Sequence, residues 1–150
     1  MSKPGCLISA CLLGVECRYD ATSRPLAGEI LEELKARYSL VPVCPEQLGG
    51  LPTPRDPVQF HGGDGEAFLR GEARLLTEKG EDRSGSFLKG AREVLKMARL
   101  LDIKIAIFKE KSPSCGVFWI YREGELVRGV GVVTAALQRE GLQVLAGDDL

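Results

Sequence analysis

Short apolar runs and amphipathic stretches alternate along the first third of the chain. Residues 6–10 form a short apolar run, which predicts a buried strand. An amphipathic helix is predicted next, because apolar side chains recur at helical spacing at Ile30, Leu31, Leu34 and Tyr38. Residues 40–44 predict a second strand, although Pro42 cannot donate a hydrogen bond to a sheet. A strand, a helix and a strand in this order predict two parallel strands.

The last part of the chain shows the same alternation. A helix is predicted with Ser84 or Ser86 as its N-cap, because one helical face is apolar at Phe87, Ala91, Val94, Leu95, Ala98 and Leu101. Shorter elements follow: strands at residues 103–108, 117–121, 125–127 and 143–146, and a helix at residues 132–139. The strands at 117–121 and 125–127 are expected to pair across Glu123-Gly124, and Gly141 is expected to stop the helix.

Residues 45–85 lack a long hydrophobic period and are rich in glycine and proline. Within them, residues 67–69 and 73–76 predict a small hairpin. A structureless loop of this length is unusual in a compact domain and indicates function or an unrecognised element. The predicted fold is a single α/β domain over residues 1–150. Its mainly parallel, Rossmann-like sheet is flanked by helices and carries an inserted hairpin or loop region at about residues 45–85.

Composition and charge narrow the classes of protein. The chain is 44% hydrophobic and 27% charged, as in an ordinary globular domain, and its net charge of −1 gives no electrostatic footprint for a nucleic acid polymer. No apolar run is long enough to span a membrane, and the N-terminus does not read as a signal peptide. A cytoplasmic location is expected. There, five cysteines favour metal binding or catalysis over disulfides.

Three cysteines stand where predicted strands end. Cys11 follows the first strand, Cys44 ends the second, and Cys115 lies in the loop after the third. Ligands of a parallel sheet bind beyond the carboxyl ends of its strands, so these thiols are expected to meet at one rim. Thiolates are soft ligands, which favours a metal or an iron–sulfur cluster at that rim. Glu46 is two residues from Cys44 and would lie close to such a group.

The other two cysteines are assigned differently. Cys6 lies in the body of the first strand and is expected to be a small core residue. Cys17 either completes a four-thiolate site or lines the pocket without binding the metal. The second interpretation is favoured, because catalytic metal sites keep an open position.

Several further residues have both a structural and a functional interpretation. Glu46 either caps a helix that begins near Gln47 or acts in catalysis. Asp20 and Arg18 either form a local ion pair, which is slightly favoured, or contact the polar edge of a substrate. Arg55 is expected to brace its loop rather than bind an anion. His61 is expected to face solvent, which argues against histidine-dependent zinc chemistry, and Trp119 is expected in the core.

Five segments carry a family resemblance, in the right order and over nearly the whole chain. They begin at Ser9, Cys17, Val43, Lys111 and Gly129 and read Ser-Ala-Cys-Leu-Leu-Gly, Cys-Arg-Tyr-Asp, Val-Cys-Pro-Glu-Gln-Leu-Gly-Gly-Leu-Pro-Thr-Pro-Arg, Lys-Ser-Pro-Ser-Cys-Gly and Gly-Val-Gly-Val-Val-Thr-Ala-Ala-Leu. These segments resemble the thiouracil desulfurase family, long known only as a domain of unknown function. One departure is Ala21, which stands where a glycine usually follows Arg-Tyr-Asp.

The resemblance implies a [4Fe-4S] cluster that is held by three cysteines and leaves one iron open. Carried over by motif, the metal ligands are Cys11, Cys44 and Cys115. The same resemblance implies catalytic roles for Glu46 and Ser112. It implies a small thiolated pyrimidine as substrate and its desulfuration, without redox change, to the oxo form with release of sulfide. The candidate substrate-binding residues are Ser9, Asp20 and Ser114.

Two other functions stay open on the sequence. Three thiolates and a water would also suit a zinc hydrolase, which would be colourless where a cluster protein is brown. A non-catalytic module that binds an iron–sulfur cluster or zinc, or that senses redox state, would release no sulfide from thiouracil and would have no need of Glu46.

Overall fold

The computed structural model describes residues 2–150. Within them lie eight strands: β1 (Gly5–Ser9), β2 (Ser39–Val43), β3 (Val58–His61), β4 (Arg74–Thr77), β5 (Ile105–Phe108), β6 (Trp119–Arg122), β7 (Glu125–Arg128) and β8 (Gln143–Ala146). The helices are α1 (Gly28–Arg37), α2 (Pro45–Leu48), α3 (Gly65–Leu69), α4 (Ser84–Leu100) and α5 (Val132–Arg139), with 3-10 turns at Ala10–Leu13 and Gly147–Asp149. None of the helices in this part of the chain is both long and apolar enough to cross a membrane.

A four-stranded parallel sheet in the order β2-β1-β5-β8 forms the centre of the domain. Leu7 of β1 pairs with Val41 on one side and with Ala106 on the other. Successive side chains of β1 face opposite sides, so Leu7 belongs to the cluster with α4 and α5 while Ile8 packs toward Leu34 of α1. The predicted α/β class, with a parallel sheet flanked by helices, is confirmed.

A second sheet in the order β4-β3-β6-β7 lies in and beyond the predicted loop region. The hairpin predicted from residues 67–69 and 73–76 is wrong. Residues Gly65–Leu69 form α3, because the Asp64 side chain accepts hydrogen bonds from the backbone N–H groups of Glu66 and Ala67 at 3.0 and 3.2 Å. Strand β4 pairs instead with β3, an antiparallel partner that the sequence pattern did not indicate.

Two smaller expectations are also corrected. Neither serine caps α4: the helix begins at Ser84 itself, and the Ser84 hydroxyl accepts a hydrogen bond from the Leu75 N–H at 3.0 Å. Trp119 is 38% exposed rather than part of the core. It lies on β6, and its ring contacts the Arg128 guanidinium, 5.3 Å from the ring centroid, instead of the core. The pairing of β6 with β7 agrees with the sequence prediction.

Close backbone packing fixes α2, the short helix that follows Cys44. Its last turn meets α4 at Gly49 and Gly90, where the two backbones approach without side chains between them. A methyl group at Gly90 would overlap the Pro45 carbonyl oxygen, and one at Gly49 would overlap the Ser86 carbonyl oxygen. The long amphipathic α4 therefore positions the segment that carries Cys44 and Glu46.

Candidate functional site

A cavity of about 490 Å³ lies at the carboxyl ends of the central strands. Four cysteines from separate parts of the chain line it, and all four are free thiols: Cys11, Cys17, Cys44 and Cys115. The structure thus brings together the three cysteines that the sequence placed at strand ends. Cys6, by contrast, is fully buried in β1, in agreement with its predicted core position.

Local backbone features place the first two strand-end cysteines. Cys11 sits in the 3-10 turn after β1, which ends at Gly14 with a left-handed φ of 93°. The Cys11 carbonyl oxygen accepts a hydrogen bond from the Arg24 N–H at 2.9 Å, which ties the next loop to this turn. Cys44 precedes α2, and Pro45 starts that helix in the position where a missing N–H costs nothing.

Hydrogen bonds within its own loop hold the third cysteine. The Ser112 hydroxyl oxygen accepts from the backbone N–H of Cys115 at 3.0 Å and of Ser114 at 3.2 Å. From α5, the Thr134 hydroxyl donates to the Cys115 carbonyl oxygen at 3.0 Å. Ser112 therefore shapes the backbone around Cys115 as well as facing the cavity.

The buried Glu110 carboxylate holds the same loop together through hydrogen bonds. Glu110 was not identified from the sequence. Its carboxylate is almost fully buried, and its Oε1 accepts from the N–H groups of Val117, Phe118 and Trp119 at 2.7, 3.0 and 3.1 Å. One carboxylate thus joins both ends of the loop that carries Ser112, Ser114 and Cys115. A glutamate two residues after an apolar strand was the available signal.

Glu46 lies in the cavity wall with defined partners on both oxygens. Arg55 Nε donates to Glu46 Oε1 at 3.0 Å, and the two side chains are only 6% and 14% exposed respectively. On the other side, Glu46 Oε2 accepts from the hydroxyl of Ser114 at 3.0 Å and lies 3.5 Å from that of Ser112. The carboxylate is bonded to side chains from other loops rather than capping α2.

Arg55 connects this carboxylate to the cysteine loops. Its Nη2 donates to the Cys17 carbonyl oxygen at 2.9 Å and lies 4.0 Å from Cys44 Sγ. Its Nη1 donates to Thr53 Oγ1 at 2.9 Å and to the Pro52 carbonyl oxygen at 3.2 Å. The bracing role predicted for Arg55 is confirmed by these contacts, and they extend it to orienting Glu46.

The thiols differ in their electrostatic surroundings. Burial raises the pKa of Cys11 to about 11 and that of Cys115 to about 12. A hydrogen bond from the Cys17 thiol lowers the pKa of Cys44 and raises the pKa of Cys17. Cys44 is therefore the thiol whose surroundings most favour the anion.

Two of the three predicted substrate-binding residues line the cavity, and the third does not. Ser9 and Ser114 line the cavity but are buried, and Ser9 Oγ accepts from the Lys109 N–H at 2.9 Å. Asp20 is exposed and does not line the cavity; its Oδ1 accepts from the Thr22 N–H and hydroxyl at 3.2 and 2.5 Å. The favoured Arg18–Asp20 ion pair is not formed within residues 2–150, because Asp20 bonds to Thr22 while Arg18 lines the cavity.

Within residues 2–150, no group of three or more histidine, cysteine, aspartate or glutamate side chains is arranged to hold a metal ion. The assignment of Cys11, Cys44 and Cys115 as ligands of a larger cluster stays a prediction.

Comparisons with known proteins agree with the resemblance seen in the sequence motifs. The family model for 2-thiouracil desulfurase matches residues 6–149. An uncharacterized protein of Bacillus subtilis (strain 168), YbbK, is 39% identical over 147 residues, which cover 96% of each chain. A solved structure described as the [4Fe-4S]-dependent thiouracil desulfidase TudS is 38% identical, with a TM-score of 0.84, and the match covers all of this chain and 93% of the other.

Proposed function

The chain belongs to the 2-thiouracil desulfurase family, and from this premise we propose that it converts 2-thiouracil, or a similar thiolated pyrimidine, to the oxo form. The overall reaction is hydrolysis: water supplies the oxygen that replaces sulfur, and sulfur leaves as hydrogen sulfide with both protons of that water. No electron donor or acceptor is needed. The observation that carries the proposal is the single cavity where four free thiols and Glu46 meet.

The cysteines of the cavity fit a [4Fe-4S] cluster, the group on which the similar TudS protein depends. Cysteine thiolates are the usual ligands of such clusters, and Cys11, Cys44 and Cys115 all border the cavity without a disulfide among them. We assign these three as ligands and Cys17 as a neighbouring thiol. When bound through three cysteines, the cluster would supply an open iron, a Lewis acid that suits the soft sulfur of a thiocarbonyl.

Glu46 is assigned as the general base. Its Oε1 is engaged by Arg55, which leaves Oε2, on the side of Ser112 and Ser114, as the atom to take a proton from the attacking water. The same proton can then pass from Oε2 to the departing sulfur, which regenerates the carboxylate and releases hydrosulfide. The proton of the new hydroxyl group follows by way of Oε2, so that the ring keeps a carbonyl oxygen and the sulfur leaves as hydrogen sulfide. Arg55 holds the carboxylate in one orientation throughout, because it is itself fixed by the Cys17, Thr53 and Pro52 oxygens.

Ser112 and Ser114 are assigned to positioning rather than proton transfer. Both hydroxyls lie within 3.5 Å of Glu46 Oε2 and 3.0 Å from each other, so they restrict where a water or ring atom can bind. Ser112 also fixes the Cys115 backbone, as described above. Its loss would therefore disturb a proposed cluster ligand as well as the reactants.

Anaerobic cluster reconstitution followed by a sulfide-release assay on 2-thiouracil tests the function. We expect a brown protein that releases one sulfide for each uracil formed, and a Glu46→Gln variant that keeps the iron but loses turnover. A brown wild-type protein that releases no sulfide would favour the non-catalytic cluster module. A colourless protein that binds zinc after the same treatment would favour the hydrolase.

A further inference from the structure

Arg18 lines the cavity, and one nitrogen of its guanidinium is buried without a hydrogen-bond partner in the protein. Its Nη1 is the one buried side-chain nitrogen or oxygen in residues 2–150 without a hydrogen-bond partner in the protein. Arg18 also belongs to the cavity lining, next to Cys17 in sequence and near enough to Cys11 for its charge to act on that thiol. A buried donor left unsatisfied costs free energy, so such groups in native proteins normally have a partner.

The other basic residues of the cavity wall mostly have partners. Arg55 donates to Glu46, and Lys109 Nζ lies 3.2 Å from the Asp148 carboxylate. Arg24 Nη1 donates to the Ser23 carbonyl oxygen at 2.9 Å. Arg18 differs because its guanidinium is held over the Tyr19 ring, 5.7 Å from the centroid, with Nη1 still unsatisfied.

The proposed substrate carries a hydrogen-bond acceptor of the kind that this donor needs. A thiouracil ring carries a second acceptor, its remaining carbonyl oxygen, on a different ring carbon from the sulfur. When the sulfur faces the cysteines, that oxygen needs a donor from another part of the wall. We propose, resting on the function above, that Arg18 is a substrate-binding residue: its guanidinium turns toward the cavity on binding, so that Nη1 donates to this carbonyl oxygen. It would thereby select oxo-pyrimidines over rings that lack the oxygen.

Calorimetry tests the proposal by comparing how two rings bind to the reconstituted protein, the product uracil and the related pyrimidin-2-one. Uracil keeps the carbonyl oxygen in question, and pyrimidin-2-one lacks it. We expect Arg18→Gln to weaken uracil binding about 10- to 100-fold, as for a hydrogen bond from a charged donor, while pyrimidin-2-one binding changes little. Arg18→Lys keeps the charge without the planar fork and should lie between wild type and Arg18→Gln. With 2-thiouracil, the loss should appear in KM more than in kcat.

Arg37 offers a matched control. Its guanidinium also lies over the ring of the following tyrosine, 5.4 Å from the Tyr38 centroid, but it does not line the cavity. Arg37→Gln should leave uracil binding unchanged.

Iron content of every variant separates a substrate contact from a contact to the cluster. If Arg18→Gln and Arg18→Lys both lose iron, Arg18 serves the cluster and the assignment is wrong. Equal weakening of uracil and pyrimidin-2-one, or unchanged uracil binding, would also overturn it. If the wild type binds uracil but releases no sulfide from 2-thiouracil, the proposed function fails, and the uracil comparison still decides whether Arg18 binds the ring oxygen.

Discussion

Replacement of Arg55 by glutamine is expected to destabilise the protein far more than loss of an ordinary ion pair. The Glu46–Arg55 pair is 3.0 Å long, and both side chains are largely withdrawn from solvent. Breaking a buried pair leaves an uncompensated charge and costs about 3–5 kcal/mol. In Arg55→Gln the charge left behind is the Glu46 carboxylate, and the bonds from Arg55 to the Cys17 and Thr53 oxygens are lost as well.

A double-mutant cycle isolates the pair itself. In Glu46→Gln/Arg55→Gln neither charge remains, so the double variant should be more stable than the sum of the single losses predicts, by about 1–3 kcal/mol. The assay is urea unfolding of the reduced, metal-free protein at neutral pH, with equal m-values required for the comparison. The Glu32–Lys35 pair, 72% and 57% exposed, is the control, and its cycle should give less than about 1 kcal/mol. Additive effects at Glu46 and Arg55 would refute the view that Arg55 holds this carboxylate.

Three further predictions concern the cysteines, the base and the helix contact. Replacing any proposed ligand, Cys11, Cys44 or Cys115, with serine should abolish cluster binding. Cys17→Ser should keep most of the iron and sulfide per chain. Loss of both in Cys17→Ser would show that Cys17 is a ligand. Glu46→Gln should lower kcat about 100- to 10,000-fold in the sulfide-release assay without loss of iron, and near-normal turnover would require another base. Gly90→Ala should cost about 1–3 kcal/mol in urea unfolding and reduce cluster retention, because the new methyl group pushes on Pro45. Gly85→Ala in the same helix meets open space and should be close to neutral; a comparable loss there would contradict the packing argument.

The parts of the fold with a strong local pattern were predictable. Helix α5 has the predicted bounds, and β1, β2 and β5 fall within two residues of their predicted limits, because long apolar faces and short buried runs reflect burial directly. The edge where the cysteines meet followed from the rule for parallel strands and needed no knowledge of the loops.

The remainder depended on contacts that local patterns do not carry. Strand β3 is only four residues long, and its partner β6 is some 60 residues further along the chain, so nothing local distinguished it from a loop. The same reason hid Glu110: its acceptor role depends on three N–H groups turned inward by the following loop. Proximity in sequence favours an Arg18–Asp20 ion pair, but in the structure Asp20 Oδ1 bonds to the Thr22 hydroxyl while Arg18 lines the cavity.

The anchoring of Cys115 bears on when iron and sulfide can be inserted into the proposed cluster site in the cell. The Cys115 carbonyl oxygen is held by Thr134, and Gly131 packs directly against the backbone of Ser114 and Cys115. The wall proposed to hold the cluster is thus complete only after α5 has docked on the sheet. A ribosome-bound chain that still lacks α5 would offer Cys11 and Cys44 without an ordered third thiol. Insertion of iron and sulfide is therefore expected to follow synthesis of nearly the whole domain rather than to accompany it.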